Sequence, residues 1–97
     1  MNVVFEWDED KNLTNFKKHG VWFAEAQTIW ADELSIEYFD SLHSTEEDRF
    51  IRIGSTAGSR PRLLLIVFCE RDESKKIRLI SAREVTLNEM RAYEEGI

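Results

Sequence analysis

The sequence is short of the residues that build disulfide frameworks, membrane spans or disordered chains. It contains one cysteine and one proline, and 42% of its 97 residues are hydrophobic. A lone cysteine cannot form an internal disulfide, and this hydrophobic fraction is typical of a globular protein. The longest apolar run, residues 63–69, is far shorter than the roughly 20 residues that cross a bilayer. We therefore expect a single domain over residues 1–97 with one core and no contact with a membrane.

An export signal is also lacking at the start of the sequence. Acidic residues follow within the first eight positions, at Glu6 and Asp8, where a signal peptide has a basic segment and an apolar stretch. This arrangement predicts a cytoplasmic protein. Cys69 lies inside the apolar run, so burial as a small hydrophobic side chain is favoured over a reactive thiol.

Positive charge is scarce overall but concentrated in the second half of the chain. The net charge of −6 argues at first against a nucleic-acid-binding protein, because phosphate binding needs cations. Residues 1–48 carry three basic side chains against twelve acidic ones, whereas residues 49–83 carry nine against three. A compact domain with this asymmetry can present a basic face to RNA although its total charge is negative.

Hydrophobic periodicity predicts the element order β-α-α-β-β-β-β-α. The predicted elements are a strand at 3–7, a helix from the cap Asp8 to Gly20, a helix at 23–31, strands at 34–39, 49–53, 62–71 and 76–83, and a helix from the capping box Thr86–Glu89 to Gly96. A polar turn at 40–48 and a bulge or turn at Gly54 and 57–61 separate the middle strands. Strands joined by short turns are antiparallel, so we expect an α+β domain whose helices pack on one face of an antiparallel sheet.

The sequence lacks the common motifs of metal and cofactor chemistry. It has no glycine-rich phosphate loop, no cysteine pair for zinc, no HExxH and no GxSxG elbow. Its two histidines, His19 and His43, are too few to form a metal site alone. We expect neither a metal nor a cofactor.

Arginines at strand positions are the best candidates for chemistry. Their planar guanidinium groups suit bidentate contacts with phosphate, although a solvated sheet face explains the same pattern. His19 ends the first predicted helix, where it either interacts with the helix dipole or acts as a general acid or base. His43 fits a surface position. The three tryptophans, Trp7, Trp22 and Trp30, fit the core better than base-stacking positions.

Several motifs in the right order resemble those of the BrnT toxins across nearly the whole chain. The matching segments are Phe5-Glu6-Trp7-Asp8, Lys11, Asn15, Lys18-His19-Gly20-Val21, Phe23-Ala24-Glu25-Ala26, Asp32, Glu47, Arg49, Ile53-Gly54, Glu70-Arg71, Ile77-Arg78-Leu79-Ile80-Ser81-Ala82-Arg83 and Glu89-Met90-Arg91-Ala92-Tyr93-Glu94. The turn before the central strand is longer than that family's usual Gly-Arg, which leaves open which arginine matches. Glu33 also stands where the family often has proline.

The resemblance implies a RelE-like fold, ribonuclease activity and a BrnA-type antitoxin with a ribbon-helix-helix. In that picture DNA is contacted only indirectly, through the antitoxin. The expected mechanism is metal-independent cleavage by the RNA 2′-hydroxyl. In this mechanism the phosphate oxygens are held by four arginines, Arg62, Arg71, Arg78 and Arg83. Lys18 or His19 transfers a proton, and Glu84 is the alternative base. The rival interpretation is a non-catalytic module whose arginine face binds an antitoxin or repressor.

Overall fold

A computed structural model of the chain describes residues 3–44 and 47–96, and its element order follows the predicted one. The elements are β1 (Val4–Glu6), α1 (Glu9–His19), α2 (Phe23–Ala26), a 3-10 helix (Gln27–Ala31), β2 (Ile36–Phe39), β3 (Phe50–Ser55), β4 (Leu63–Arg71), β5 (Lys76–Glu84) and α3 (Leu87–Glu95). The second predicted helix is thus one α-helical turn continued by a 3-10 helix. Residues 45 and 46 of the predicted polar turn lie outside the described residues.

The five strands form one mixed sheet in the order β1-β5-β4-β3-β2. The consecutive strands β2 to β5 are antiparallel, as predicted, but β1 runs parallel to β5. The prediction of a wholly antiparallel sheet is wrong at this edge. Short turns fix the direction of consecutive strands only, and β1 pairs with a strand that follows it by about seventy residues.

One face of the sheet forms the core against α1, α2 and the 3-10 helix. Leu64, Ile66 and Phe68 of β4 are fully buried there, beside Phe23 and Ile29. The 3-10 helix and the turn after it approach β3 so closely that a Cβ on Gly54 would lie 3.1 Å from the Ile29 Cβ and 2.9 Å from the Ser35 Cβ. Glycine is therefore required at this position by the close approach of the two elements.

The other face of the sheet, called the outer face below, carries the alternate residues of β4 and β5. Side chains alternate along a strand, so Leu65, Val67 and Cys69 project away from the helical layer. The third helix contacts β3, and Glu89 binds Arg83, which pairs with Leu65. The helices therefore occupy both faces rather than one, and α3 covers part of the outer face.

Side-chain caps begin the long helices and left-handed glycines end them, as the sequence predicts. Asp8 accepts backbone hydrogen bonds at the start of α1, and Gly20 ends it in the left-handed conformation at φ 71°. Thr86 and Glu89 form the predicted capping box of α3.

The buried Asn15 side chain joins α1 to the free edge of β5. Its amide donates to the Ala82 carbonyl at 2.9 Å, and its oxygen accepts from the Ala82 amide at 3.1 Å. The paired bonds imitate a neighbouring strand at a point that the short β1 does not reach. The edge is satisfied there without a further strand.

The core predictions hold for Cys69 and for two of the three tryptophans. Cys69 is 2% exposed, and Trp7 and Trp30 pack against the core. Trp22 is 41% exposed and stacks on Phe16 with ring centroids 4.0 Å apart, so its predicted place in the core is wrong. The stack gives this ring an apolar neighbour at the surface.

Among the described residues, every helix is too short or too polar to cross a membrane.

Candidate active site

Three of the predicted arginines lie on the outer face. In the β4–β5 ladder Arg71 pairs with Lys76, Cys69 with Arg78, and Leu65 with Arg83. Arg78 and Arg83 are five residues apart and would lie on opposite faces of a regular strand. A β-bulge beside Val67 inserts one extra residue of β5 between them, so both side chains lie on the outer face. Their partners in β4, Cys69 and Leu65, are four positions apart, which is about 13 Å along the strand.

Arg71 and Arg78 form one cluster at the β1 edge of the outer face. A single carboxylate, Glu6 of β1, lies 3.3 Å from Arg78 Nη1 and 3.9 Å from Arg71 Nε. Arg71 Nη2 also lies 3.7 Å from a Glu47 carboxylate oxygen. The long distances and partial exposure of both guanidinium groups are typical of weak surface ion pairs. An incoming phosphate can therefore replace Glu6 as the shared acceptor.

Arg83 lies at the other end of the outer face and is bound by α3. Its two terminal nitrogens each donate to a Glu89 oxygen at 2.8 Å. The hydrogen bond from Arg83 is the main cause that holds the pKa of Glu89 below its usual value, and the same bond raises the pKa of Arg83. Both groups are therefore charged, and Glu89 ties this arginine to the helix.

Arg62 and Glu84 lie apart from these arginines, on the helical side of the sheet. The Arg62 Nε–H donates to Glu25 at 2.9 Å, and its terminal nitrogens donate to the Gly20 carbonyl at 2.9 Å and to Glu84 at 3.3 Å. Hydrogen bonding to Arg62 lowers the pKa of Glu25. These contacts fasten the turn between α1 and α2 to the start of β4.

Lys18 and His19 line a groove of about 430 Å³ between α1 and β5, beyond the end of β1. The groove also contains carboxylates and a hydroxyl of α1, and it is closed on the sheet side by Ile80 and Ser81. Its remaining lining residues are Asp8, Asp10, Lys11, Thr14 and Asn15. The two predicted proton-transfer residues are thus adjacent to β5 but on its helical flank.

A second pocket, of about 250 Å³, lies on the outer face and shares Ile80 and Ser81 with the groove. Its other lining residues are Asp40, His43, Arg49 and Val67. Val67 pairs with Ser81 between the Cys69–Arg78 and Leu65–Arg83 pairs, so the pocket lies midway between Arg78 and Arg83. We call it the central pocket.

Polar groups of the central pocket are arranged around a buried carboxylate. His43 Nδ1 lies 2.9 Å from Asp40 Oδ2, with Asp40 8% and His43 66% exposed. The Arg49 Nε is buried and has no hydrogen-bond partner among residues 3–44 and 47–96. Within the same residues, no three His, Cys, Asp or Glu side chains gather as ligands for a metal ion.

The structure therefore brings Arg71, Arg78 and Arg83 to one face, places Lys18 and His19 in the adjoining groove, and separates Arg62 and Glu84 from them. Asp40, His43 and Arg49 line the central pocket but were not predicted as site residues from the sequence. The two-residue spacing of Arg49, Ile51 and Ile53 was a usable signal, because it places Arg49 on the same face as the two isoleucines, the outer face. Asp40 and His43 lie in an irregular turn, where no periodicity indicates direction.

A family model described as ribonuclease toxin, BrnT, of type II toxin-antitoxin system matches residues 7–89, most of the chain. The match extends from the residue after β1 to the first turn of α3. It includes the groove, the central pocket and the arginines of the candidate site. No curated protein matches the sequence.

Proposed function

Because the chain belongs to the BrnT family of ribonuclease toxins of type II toxin–antitoxin systems, we propose that it cuts RNA on the outer face of its sheet. The observation that carries the proposal is the row formed by Arg71, Arg78 and Arg83 across two neighbouring strands. Each guanidinium is partly exposed, and a pocket lies between the last two. The planar donors match phosphate oxygens in the geometry that arginine recognises.

The proposed reaction needs no metal, because RNA carries its own nucleophile. The 2′-oxygen attacks the neighbouring phosphorus, the bond to the 5′-oxygen breaks, and a cyclic 2′,3′-phosphate and a 5′-hydroxyl form. The protein has to orient these atoms, move two protons and stabilise the charge on the pentavalent phosphate. Arg71 and Arg78 bind non-bridging oxygens in this proposal, and Arg83 binds the adjacent phosphate.

Lys18 or His19 donates the proton that the departing 5′-oxygen requires. Both line the groove that meets the central pocket at Ser81, so a strand of RNA crossing β5 contacts both sides. Glu84 remains the alternative base, although it lies beside Arg62 on the helical side. Arg62 has a structural role in the proposal, because its donors already bind Glu25, Gly20 and Glu84.

The finer features implied by the family also belong to the proposal. We infer a single cytoplasmic toxin domain with a RelE-like fold, neutralised by a BrnA-type ribbon-helix-helix antitoxin. The antitoxin supplies the DNA contacts, which accords with the acidic total charge of this chain.

The test is cleavage of a purified mixed-sequence RNA by the isolated protein in EDTA, beside Arg83→Ala. Cleavage that Arg83→Ala loses while staying folded supports a ribonuclease that works without metal and without ribosomes. If free RNA stays intact, the same pair is tested on translating ribosomes and for growth arrest in cells. Intact RNA in both settings would contradict the proposal and leave the non-catalytic binding module.

A further inference from the structure

We propose that His43 is the general base of RNA cleavage and that Asp40 positions it. The inference rests on the proposed function and adds two residues to it. His43 is an exposed imidazole whose ring is fixed by a buried carboxylate, 2.9 Å from Nδ1.

The contact with Asp40 determines which ring nitrogen is available. A carboxylate only accepts hydrogen bonds, so the Nδ1–H of a neutral His43 donates to Asp40 and leaves the Nε2 lone pair unprotonated. Asp40 is itself fixed, because its amide donates to the Arg49 carbonyl at 2.8 Å and its carbonyl accepts from the Ser44 hydroxyl. The turn therefore presents one nitrogen of the imidazole as a proton acceptor.

The location of the pair fits a base acting on phosphate-bound RNA. His43 lines the central pocket, which lies between the pairing positions of Arg78 and Arg83. Arg49 lines the same pocket, and its cationic side chain favours an anion there. With the scissile phosphate on Arg78 at the edge of this pocket, the 2′-hydroxyl of the attached ribose can reach the dyad.

The proton and electron movements balance without any further group. The His43 Nε2 accepts the proton of the 2′-hydroxyl while the 2′-oxygen forms its bond to phosphorus. The bond from phosphorus to the 5′-oxygen breaks, and that oxygen takes a proton from the groove side, from Lys18 or His19. His43 then releases its proton to water, Lys18 or His19 takes up a proton from water, and the enzyme is restored.

The test compares cleavage rates of His43→Ala and His43→Gln with that of the parent protein on the same RNA. We expect kcat per folded protein to fall by roughly 100-fold or more, the usual contribution of a general base. Thermal unfolding is measured beside it, because His43→Ala leaves the buried Asp40 without this partner. Added imidazole should restore part of the rate to His43→Ala. Leu42→Ala, a neighbouring residue that is 84% exposed, is the matched control and should cleave at the parent rate.

A second substrate separates a base from an acid. A nucleoside 3′-phosphodiester with a p-nitrophenol leaving group needs no protonation of that group, so the loss of an acid is rescued and the loss of a base is not. We expect His43→Ala to remain slow on this substrate. Rescue by the activated leaving group would overturn the assignment as base.

Asp40→Asn tests the positioning residue. The amide no longer favours the Nδ1–H tautomer, so we expect kcat to fall at least about tenfold with KM unchanged. A change in KM alone would contradict the positioning role. Parent protein that cuts RNA together with fully active His43→Ala would refute this inference alone, whereas a parent protein that leaves RNA intact would refute the proposed function and the inference with it.

Discussion

Arg62 and Arg78 show how the surroundings of a residue assign its task. Both are arginines at or beside strands, and the sequence treats them alike. Arg62 donates to three acceptors of its own chain, and two of these lie in α2 and in the turn between α1 and α2. Arg78 instead has one carboxylate neighbour, at 3.3 Å, on a partly exposed face. Arg62 therefore stabilises the fold, whereas Arg78 has donors to spare for phosphate.

Replacing Arg62 by glutamine should therefore reduce stability more than catalysis. The change removes the pairing with Glu25, which is about two-thirds buried, and we expect a loss of roughly 1–2 kcal/mol, or a Tm lowered by about 4–15 °C. Thermal unfolding measures this loss, and cleavage is normalised to the folded fraction. A loss of normalised cleavage as large as that of Arg78→Gln, with Tm unchanged, would return Arg62 to the active site.

At the scale of elements, α3 depends on polar contacts more than on a buried apolar face. None of its residues is buried, and it is joined to the sheet by Arg83–Glu89 and by the Tyr93 hydroxyl, which donates to Asp32 at 2.6 Å. Asp32 also accepts from the Ser55 and Leu34 amides. A single carboxylate thus joins the C-terminal helix to β3 and to the turn after the 3-10 helix.

The Tyr93–Asp32 bond gives α3 a pH-dependent stability at both extremes. The bond to Asp32 raises the pKa of Tyr93 to about 12 from an ordinary value of 10.0. Its stabilisation is therefore complete below pH 10.0 and is lost as the pH rises towards about 12. Burial acts to raise the pKa of Asp32, but the bonds from Tyr93 and the two amides outweigh it and lower the pKa below 3.8. That contribution is present above pH 3.8 and is lost as the pH falls through the lowered value.

Tyr93→Phe should remove the alkaline part of this dependence. We expect about 1.5 kcal/mol less stability at neutral pH, and a smaller decline than in the parent protein between pH 10 and 12. Denaturant unfolding across this range measures both effects. An unchanged alkaline decline in Tyr93→Phe would show that another group causes it.

The local elements were predictable because their signals are local. The helix caps Asp8 and Thr86 depend on neighbouring residues, and the structure confirms both of them. The parallel pairing of β1 and the docking of α3 on the outer face depend on contacts between distant residues, which periodicity does not encode. For the same reason the sequence grouped four arginines as one site, whereas strand register and ion pairs place three of them on one face and Arg62 elsewhere.

At the scale of the whole molecule, an acidic chain presents a basic row to its substrate. Most carboxylates precede residue 49, while Arg71, Arg78 and Arg83 lie on the outer face of the two central strands. Local cations decide phosphate binding in a screened solution, because the Debye length at physiological salt is only about 8 Å. The net charge of −6 therefore does not prevent this face from binding RNA.

Salt should weaken RNA binding in proportion to the number of arginine–phosphate contacts. Three contacts with a single strand predict a slope of about −2 for log K against log salt. A 2′-deoxy oligonucleotide, which cannot be cleaved, is the probe for this titration. Arg78→Gln should reduce the slope by about 0.7, and a slope near zero in the parent protein would argue against phosphate contacts on this face.

The measurement that most directly tests the account is the cleavage rate of Arg71→Gln/Arg78→Gln on RNA that the parent protein cuts. Arg60→Gln, an exposed arginine in the turn before β4, is the matched control for the loss of charge. The account predicts at least a roughly 100-fold lower kcat/KM for the double variant, a normal Tm, and a rate for Arg60→Gln near that of the parent. A folded double variant that cuts RNA at the parent rate would show that the outer face is not the active site.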